Sequence, residues 1–189
     1  MLLGYAASKP SRAEQTSLRA SLKVRTLVWV LLMTLSFSGV AASADPAGEY
    51  AKHLAALSKL SIAVAEAMPA DRYGFRPHPE SMTFGQLMSH IAATNYQFCA
   101  GLKDSNPPDL PSPTVKDGTV KFLSDSFDYC SGIIAGLTEE QLIRAHNSPD
   151  GRLPGREVLL AMYVHVAHHR GQAEIYLRDN GIKPPPYRI

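Results

Sequence analysis

The connection at residues 103–114 limits the folds open to this chain more than any other segment. It contains Pro107, Pro108, Pro111 and Pro113. Because proline lacks a backbone N–H and fixes its φ angle, the segment cannot be a helix and is expected to be extended. An extended connection of this length can run the length of a helical bundle, so the helices on either side of it need not form a tight antiparallel pair.

Two helices are predicted before this connection. Asp45-Pro46 can supply the N-cap and first residue of helix one, which ends before Pro69. Thr83 and Gln86 form a capping box for helix two, which ends near residue 101. The residues that recur at helical spacing in these two helices are Tyr50, Leu54, Leu57, Val64, Met68, Phe84, Leu87, Met88, Ile91 and Phe98.

Two further helices are predicted after the connection. Helix three has a heptad pattern, and the last helix runs from about Arg156 to Asn180. Thr138 begins a short capped helical turn, while residues 146–155 (HNSPDGRLPG) are interpreted as a loop. No segment alternates with period two far enough to predict a strand. Four main helices with one long crossover indicate an all-α, four-helix bundle. The heptad positions are Val120, Leu123, Phe127, Cys130, Ile134 and Leu137.

Residues 1–44 have the pattern of a signal peptide. A basic stretch leads into the apolar run TLVWVLLMTLSFSGV, and Ala42-Ser43-Ala44 matches a signal-peptidase site. The alternative is a membrane anchor, but the run is shorter than the roughly 20 apolar residues that a spanning helix needs. We therefore predict cleavage before Asp45, a periplasmic or secreted location, and a single mature domain at residues 45–189.

Charge excludes one class of partner for the predicted mature chain. Of the 19 lysine and arginine residues, five lie in the leader, as does one of the 17 acidic residues, so 14 basic and 16 acidic groups remain and the net charge is about −2. No basic run with interleaved aromatic residues is present. Nucleic-acid binding is therefore not expected, and after cleavage neither is membrane association.

The last helix carries an unusual number of histidines for a face that should be buried. His165 and His169 lie four residues apart and therefore on one side of the helix. Such a pair is more often hydrogen-bonded than bound to a metal, so both interpretations stay open on spacing alone. His90, on the flank of helix two, is the candidate third ligand. The stripe that contains the pair consists of Val158, Met162, His165, His169, Gln172 and Tyr176.

Two segments resemble the signature regions of the DinB-like (DinB/YfiT) superfamily. They are RYGFRPHPESMTFGQLMSHIAATN, at residues 72–95, and HVAHHRGQAEIYLRDNGIKPP, at residues 165–185. The resemblance implies a four-helix bundle with an up-down-down-up course and a divalent metal, reported as zinc, nickel, manganese or iron. It also implies that the metal ligands are His90, His165 and His169. We expect His168 beside the site or at the surface, although a pairing of His165 with His168 would also fit helical spacing.

Neighbouring polar residues have two interpretations each. Gln172 and Gln86 lie one helical turn from a ligand and could contact it, although a capping role also explains Gln86. Arg170 could pair with an acidic neighbour, which we favour, or hold a substrate anion. Tyr176 is expected to pack in the core.

The resemblance implies a metal site more strongly than a reaction. Members of this superfamily include thiol transferases that use bacillithiol, mycothiol or glutathione, and a mycothiol-dependent isomerase. Export would place the chain where such thiols are scarce, which makes a hydrolase that uses metal-activated water the alternative enzyme. A non-catalytic protein that binds a metal or a small ligand is the alternative from another class. The partners expected are a small-molecule substrate and, as one option, a second copy in a homodimer.

Cys99 and Cys130 offer a test of the predicted topology. If the crossover makes helices two and three parallel, these residues lie at similar heights, and an oxidising compartment would favour a disulfide between them. The alternative is that both are small buried apolar residues.

Overall fold

The structure of the chain is a computed structural model that describes residues 12–13 and 46–187. The chain divides into two units between Ala44 and Asp45, and all the elements below belong to the second. The predicted signal peptide lies outside the described residues, apart from Arg12 and Ala13, and so does the predicted cap Asp45. Cleavage before Asp45 stays a prediction.

The predicted all-α class is confirmed, because four long helices enclose the core of the described chain. These helices supply nearly all of its fully buried large side chains. No helix of residues 12–13 and 46–187 has both the length and the apolar character needed to cross a membrane. The elements are α1 (Pro46–Ala67), a 3₁₀ turn (Ala70–Arg72), α2 (Phe84–Leu102), α3 (Lys116–Ile134), α4 (Glu139–Ile143), β1 (Ala145–Ser148), β2 (Gly151–Pro154) and α5 (Gly155–Asp179).

Both predicted starts that are capped by a threonine are present. Thr83 Oγ1 accepts a hydrogen bond from Gln86 N at 3.2 Å, and Gln86 Oε1 accepts one from Thr83 N at 2.8 Å. Thr138 and Gln141 repeat this exchange at the start of α4. Each box satisfies backbone N–H groups that have no partner within the helix, which is why these helices begin where they do.

The proline-rich crossover places α2 and α3 side by side in the same direction. Asn95 Nδ2 donates to Ser126 Oγ at 3.1 Å, and one helical turn later Cys99 is bonded to Cys130. Both pairs join residues 31 positions apart, so the two helices run parallel in register. Where the crossover ends, Pro113 O accepts a hydrogen bond from Thr119 Oγ1 at 2.9 Å.

The last helix runs antiparallel to α2 and parallel to α1. Tyr163 OH donates to Tyr50 O at 2.6 Å near the start of α1, while Tyr176 OH donates to Met82 O at 3.1 Å near the start of α2. These contacts give the up-down-down-up course. Helix α5 therefore lies against both α1 and α2, which brings its histidine stripe to the side of α2.

The prediction of a loop at residues 146–155 is wrong. This segment forms most of an antiparallel hairpin, in which His146 is opposite Leu153 and Asn147 is opposite Arg152. The strands are too short to show a period of two in the sequence, but the S-P-D-G turn sequence was a usable signal. Gly151 has a φ of 103°, a value that glycine adopts without strain.

The hairpin closes the end of the bundle through a buried histidine. The side chain of His146 has no solvent exposure, and its Nδ1 lies 3.2 Å from Asp104 Oδ1 while its Nε2 lies 2.8 Å from Gln141 O. The hairpin backbone also reaches α2, since a Cβ on Gly101 would overlap the oxygen of Asn147. This end of the fold is thus held by hydrogen bonds and close backbone packing that the sequence analysis did not predict.

A disulfide joins Cys99 and Cys130 across α2 and α3, with Cα atoms 5.4 Å apart. Both residues are fully buried, so the bond lies within the core. Met162 of α5 covers it, with its Sδ 3.5 Å from Cys99 Sγ. The pairing expected from parallel helices is therefore present.

Candidate metal centre

The histidine stripe of α5 runs from the core to the surface. Val158 and Met162 are fully buried, His165 and His169 are half-buried, and Gln172 is exposed. His90 of α2 is also half-buried and faces the α5 pair. The three histidines, called the triad below, therefore lie at the rim of the core where α2 meets α5.

The ring nitrogens of the triad converge on one point. His90 Nε2 and His165 Nε2 are 3.0 Å apart, and one nitrogen from each of the three residues lies within 4.8 Å of the others. Nitrogens that share a tetrahedral zinc ion at 2.0–2.1 Å are about 3.3 Å apart. The donor set and its spacing therefore fit a single divalent ion.

Burial keeps these imidazoles in the form that binds metals. Burial, together with the smaller effects of His169, His90 and His168, lowers the pKa of His165 to about 4. Burial likewise lowers the pKa of His90 and of His169, although the hydrogen bond that His169 donates to Gln172 partly offsets the change at His169. Neutral imidazole is the ligand form, so the site is prepared for a cation near neutral pH.

Gln172 determines which nitrogen of His169 faces the triad. Its Oε1 lies 2.7 Å from His169 Nδ1, so this nitrogen carries the proton and Nε2 has a free lone pair. The Nε2 of Gln172 lies 3.1 Å from Nε2 of His168, which is exposed and outside the triad. Gln172 therefore contacts His169, one of the three predicted ligands, whereas Gln86 is occupied in capping α2.

His165 faces the triad through its Nε2 as well. Its Nδ1 is buried and has no hydrogen-bond partner among the described residues, whereas its Nε2 lies against His90. Among the residues that the structure describes, the hydrogen-bonding neighbour of this ring is thus another member of the triad. A cation between these nitrogens would give Nε2 a partner without proton sharing between two imidazoles.

The profile that describes the DinB superfamily matches residues 48–173, a range that includes the whole triad. The chain belongs to the DinB superfamily. The resemblance seen in the sequence is thereby confirmed, and with it the expectation of a helical bundle.

The chain is similar to two solved structures, both described as DinB-like proteins and both from Bacillus species. The chain is 29% identical to the uncharacterised protein YjoA of Bacillus subtilis over 129 residues, which cover 66% of this chain and 84% of YjoA. The crystal structure of that DinB-like protein superposes with a TM-score of 0.63 at 22% identity, covering 74% of this chain and 98% of the other. A DinB-like protein from Bacillus cereus ATCC 10987 gives a TM-score of 0.65 at 16% identity, covering 74% and 95%. These structural likenesses show the fold.

Two polar residues near the triad of this DinB-superfamily chain have structural partners. Arg170 is buried and its guanidinium contacts the Glu174 carboxylate, while the Tyr187 ring lies 5.0 Å from its Cζ. Tyr176 packs against Phe75 and donates its hydroxyl proton to Met82 O, as expected for a core residue. The favoured interpretations, pairing for Arg170 and packing for Tyr176, agree with these contacts.

A cleft of about 410 Å³ opens beside the triad. His169 and Gln172 line it together with apolar residues of α2, α5 and the loop before α2. The sequence analysis did not predict this cleft, because the loop residues that complete it show no helical periodicity. Its lining residues are Pro77, Glu80, Ser81, Met82, Leu87, His169, Gln172, Ile175 and Tyr176.

Proposed function

We propose that this chain is a divalent-metal-binding protein in which His90, His165 and His169 hold the ion, and that it acts as a metal-dependent enzyme on a small molecule. The observation that carries the proposal is the convergence of three half-buried imidazoles on one point. An ion held by three protein ligands keeps a position for a thiol or a water molecule and lowers the pKa of that ligand.

The chain's own residues prepare the site. Burial keeps the triad neutral, and Gln172 holds His169 by the hydrogen bond to its Nδ1. The cleft that His169 and Gln172 share with apolar side chains would admit a substrate to the open side of the site. These features support an exchangeable position more than a closed structural metal site.

The reaction class we favour is thiol transfer or hydrolysis. Thiol transferases occur in the DinB superfamily. We also propose, however, that this chain is exported, and thiol cofactors are scarce outside the cytoplasm. The buried Cys99–Cys130 disulfide supports an oxidising destination, since such bonds persist there. Export would favour hydrolysis over thiol transfer.

One observation favours a non-catalytic metal or ligand binder as the second candidate. No carboxylate among residues 46–187 is hydrogen-bonded to the triad, whose side-chain partners are histidines and Gln172. A hydrolase usually needs a general base within hydrogen-bond reach of its reacting group. Glu80, in the lining of the cleft, is the carboxylate that could take this role in the enzyme.

Metal analysis of alanine variants tests the triad. The wild type should retain about one equivalent of ion after loading with zinc, nickel, manganese or iron(II) and dialysis. His90→Ala and His169→Ala should lose most of it, while the control His168→Ala, which removes an exposed neighbour, should retain it. Far-UV circular dichroism would establish that each variant is folded. A folded His90→Ala protein that stays fully loaded would show that the triad does not hold the ion.

A further inference from the structure

We infer that the cleft beside the triad is a substrate subsite for an uncharged apolar group that the ligand carries close to its metal-binding head. This inference rests on the proposed metal-binding function and specifies the chemistry of what would bind there. The volume of about 410 Å³ lies within the usual range for small-molecule pockets, roughly 300–1,000 Å³.

The lining of the cleft combines polar and apolar side chains. His169 and Gln172 line one part of it, so a ligand in the cleft contacts a member of the triad. Leu87 and Tyr176, both buried, also line it and offer apolar surface. A molecule that contacts the triad with a polar head would therefore have apolar protein surface beside its next few atoms.

Two large apolar side chains of the cleft are left in contact with water. Met82 is 41% exposed and Ile175 is 51% exposed, and they come from separate parts of the chain, the loop before α2 and helix α5. A bound apolar group would remove part of both surfaces from water, which is favourable in proportion to the area covered. This gives the apolar group, rather than a polar one, the advantage at this position.

The charge of the lining opposes an anionic substituent. Among the described residues that line the cleft, Glu80 is the one carboxylate, and there is no lysine or arginine. A carboxylate on the part of the ligand that lies away from the triad would meet this like charge and would find no lysine or arginine in the lining to pair with. An uncharged substituent avoids this cost.

Hydrogen bonds hold the walls of the cleft in place. Tyr176 OH donates to Met82 O at 3.1 Å, which ties the loop to α5. On the other side of the loop, Phe84 N donates to Phe75 O at 2.8 Å. Because the polar group of Tyr176 is already engaged, its ring remains as apolar wall. The cleft is thus formed before a ligand arrives.

Calorimetric titration of zinc-loaded protein with hydroxamates tests the subsite without any need for activity. Acetohydroxamate and 3-phenylpropionohydroxamate share a metal-binding head and differ in the apolar group. The ratio of their Kd values therefore measures how much affinity the apolar group gains in the cleft. We expect the phenyl compound to bind at least tenfold more tightly to the wild type. Its 4-carboxyphenyl analogue should lose most of that advantage.

Variants assign the effect to the cleft. Met82→Ala combined with Ile175→Ala should bring the two hydroxamates to within about threefold of each other. The control Leu160→Ala removes a side chain of α5 that is 61% exposed and outside the cleft, and it should leave the ratio unchanged. Both cleft positions are partly exposed, so the double variant is expected to fold, which circular dichroism would check.

The outcomes separate this inference from the proposed function. If zinc does not bind, or if neither hydroxamate binds the zinc-loaded protein, the proposed open metal site is wrong. If both hydroxamates bind with equal affinity, or if the double variant keeps the wild-type ratio, the subsite is wrong while the metal site stands.

Discussion

Replacing Cys99 and Cys130 together by alanine removes the covalent link between α2 and α3. In the chain-entropy description, the bond stabilises the fold by limiting the unfolded chain to conformations in which these residues meet. The two residues are 31 positions apart, and a loop of that size corresponds to about 3.5–4 kcal/mol at 25 °C. Both side chains are fully buried, so loss of their sulfur atoms adds a packing cost of about 1 kcal/mol.

Urea unfolding followed by far-UV circular dichroism measures the effect. The comparison uses oxidised wild type, wild type refolded in reductant, and the double alanine variant. The reduced wild type keeps its sulfur atoms and should lose about 3.5–4 kcal/mol, while the variant should lose about 1 kcal/mol more. For a domain of about 145 residues, the melting temperature should fall by about 10 °C or more.

Two results would refute this reasoning. One is a reduced wild type whose unfolding free energy lies within about 1 kcal/mol of that of the oxidised protein. The other is an alkylation and mass measurement that finds two free thiols in folded protein made under oxidising conditions. The first would mean that the loop restraint contributes little, and the second that the bond does not form.

Three further predictions concern the site and the leader. Gln172→Ala should weaken metal affinity about 10- to 100-fold, measured by chelator competition, since it frees the His169 ring from its hydrogen bond. In metal-free folded protein the pKa of His165 is about 4, below its value of about 6.5 in the unfolded chain. As the pH falls from about 6.5 towards 4, the unfolded chain therefore binds more protons than the folded chain. Stability should therefore drop over that window by about 1–2 kcal/mol after solvent screening, and His165→Ala should show a shallower pH dependence in urea unfolding. N-terminal sequencing of exported protein should begin at Asp45, and a start upstream of residue 40 would contradict the predicted cleavage.

Local signals explain why much of the fold could be predicted. Thr83 with Gln86 and Thr138 with Gln141 satisfy backbone groups within three residues of each other, so the capping boxes are visible in the sequence and present in the structure. The apolar stripe of α5 is equally local, which placed His165 and His169 on one face. The meeting of that face with His90 followed from family resemblance, because spacing alone cannot say which helices pack together.

Several features that depend on distant residues were not predicted. His146 is buried through contacts with Asp104, 42 positions away, and nothing local in its sequence distinguishes it from a loop histidine. The cleft likewise combines Met82 with Ile175, whose proximity depends on how the loop before α2 folds back onto α5. Arg170 was expected to pair with an acidic neighbour, but its contact with the ring of Tyr187, from the segment after α5, was not predicted.

The separation of the triad along the chain determines when a metal can be captured. His90 and His165 are 75 positions apart, and α5 leaves the ribosome or a translocation channel after the other helices that the structure describes. A nascent chain that ends before α5 has a single triad member and cannot form the three-histidine site. The affinity of a three-histidine site for divalent transition metals follows the general order of these metals, so the ion that is bound depends on which metals are available. The ion acquired should therefore be one that is available where synthesis or transport is completed. Metal identity in this protein would then be set by the place of folding, and refolding the purified chain in defined metal mixtures would reveal its intrinsic preference.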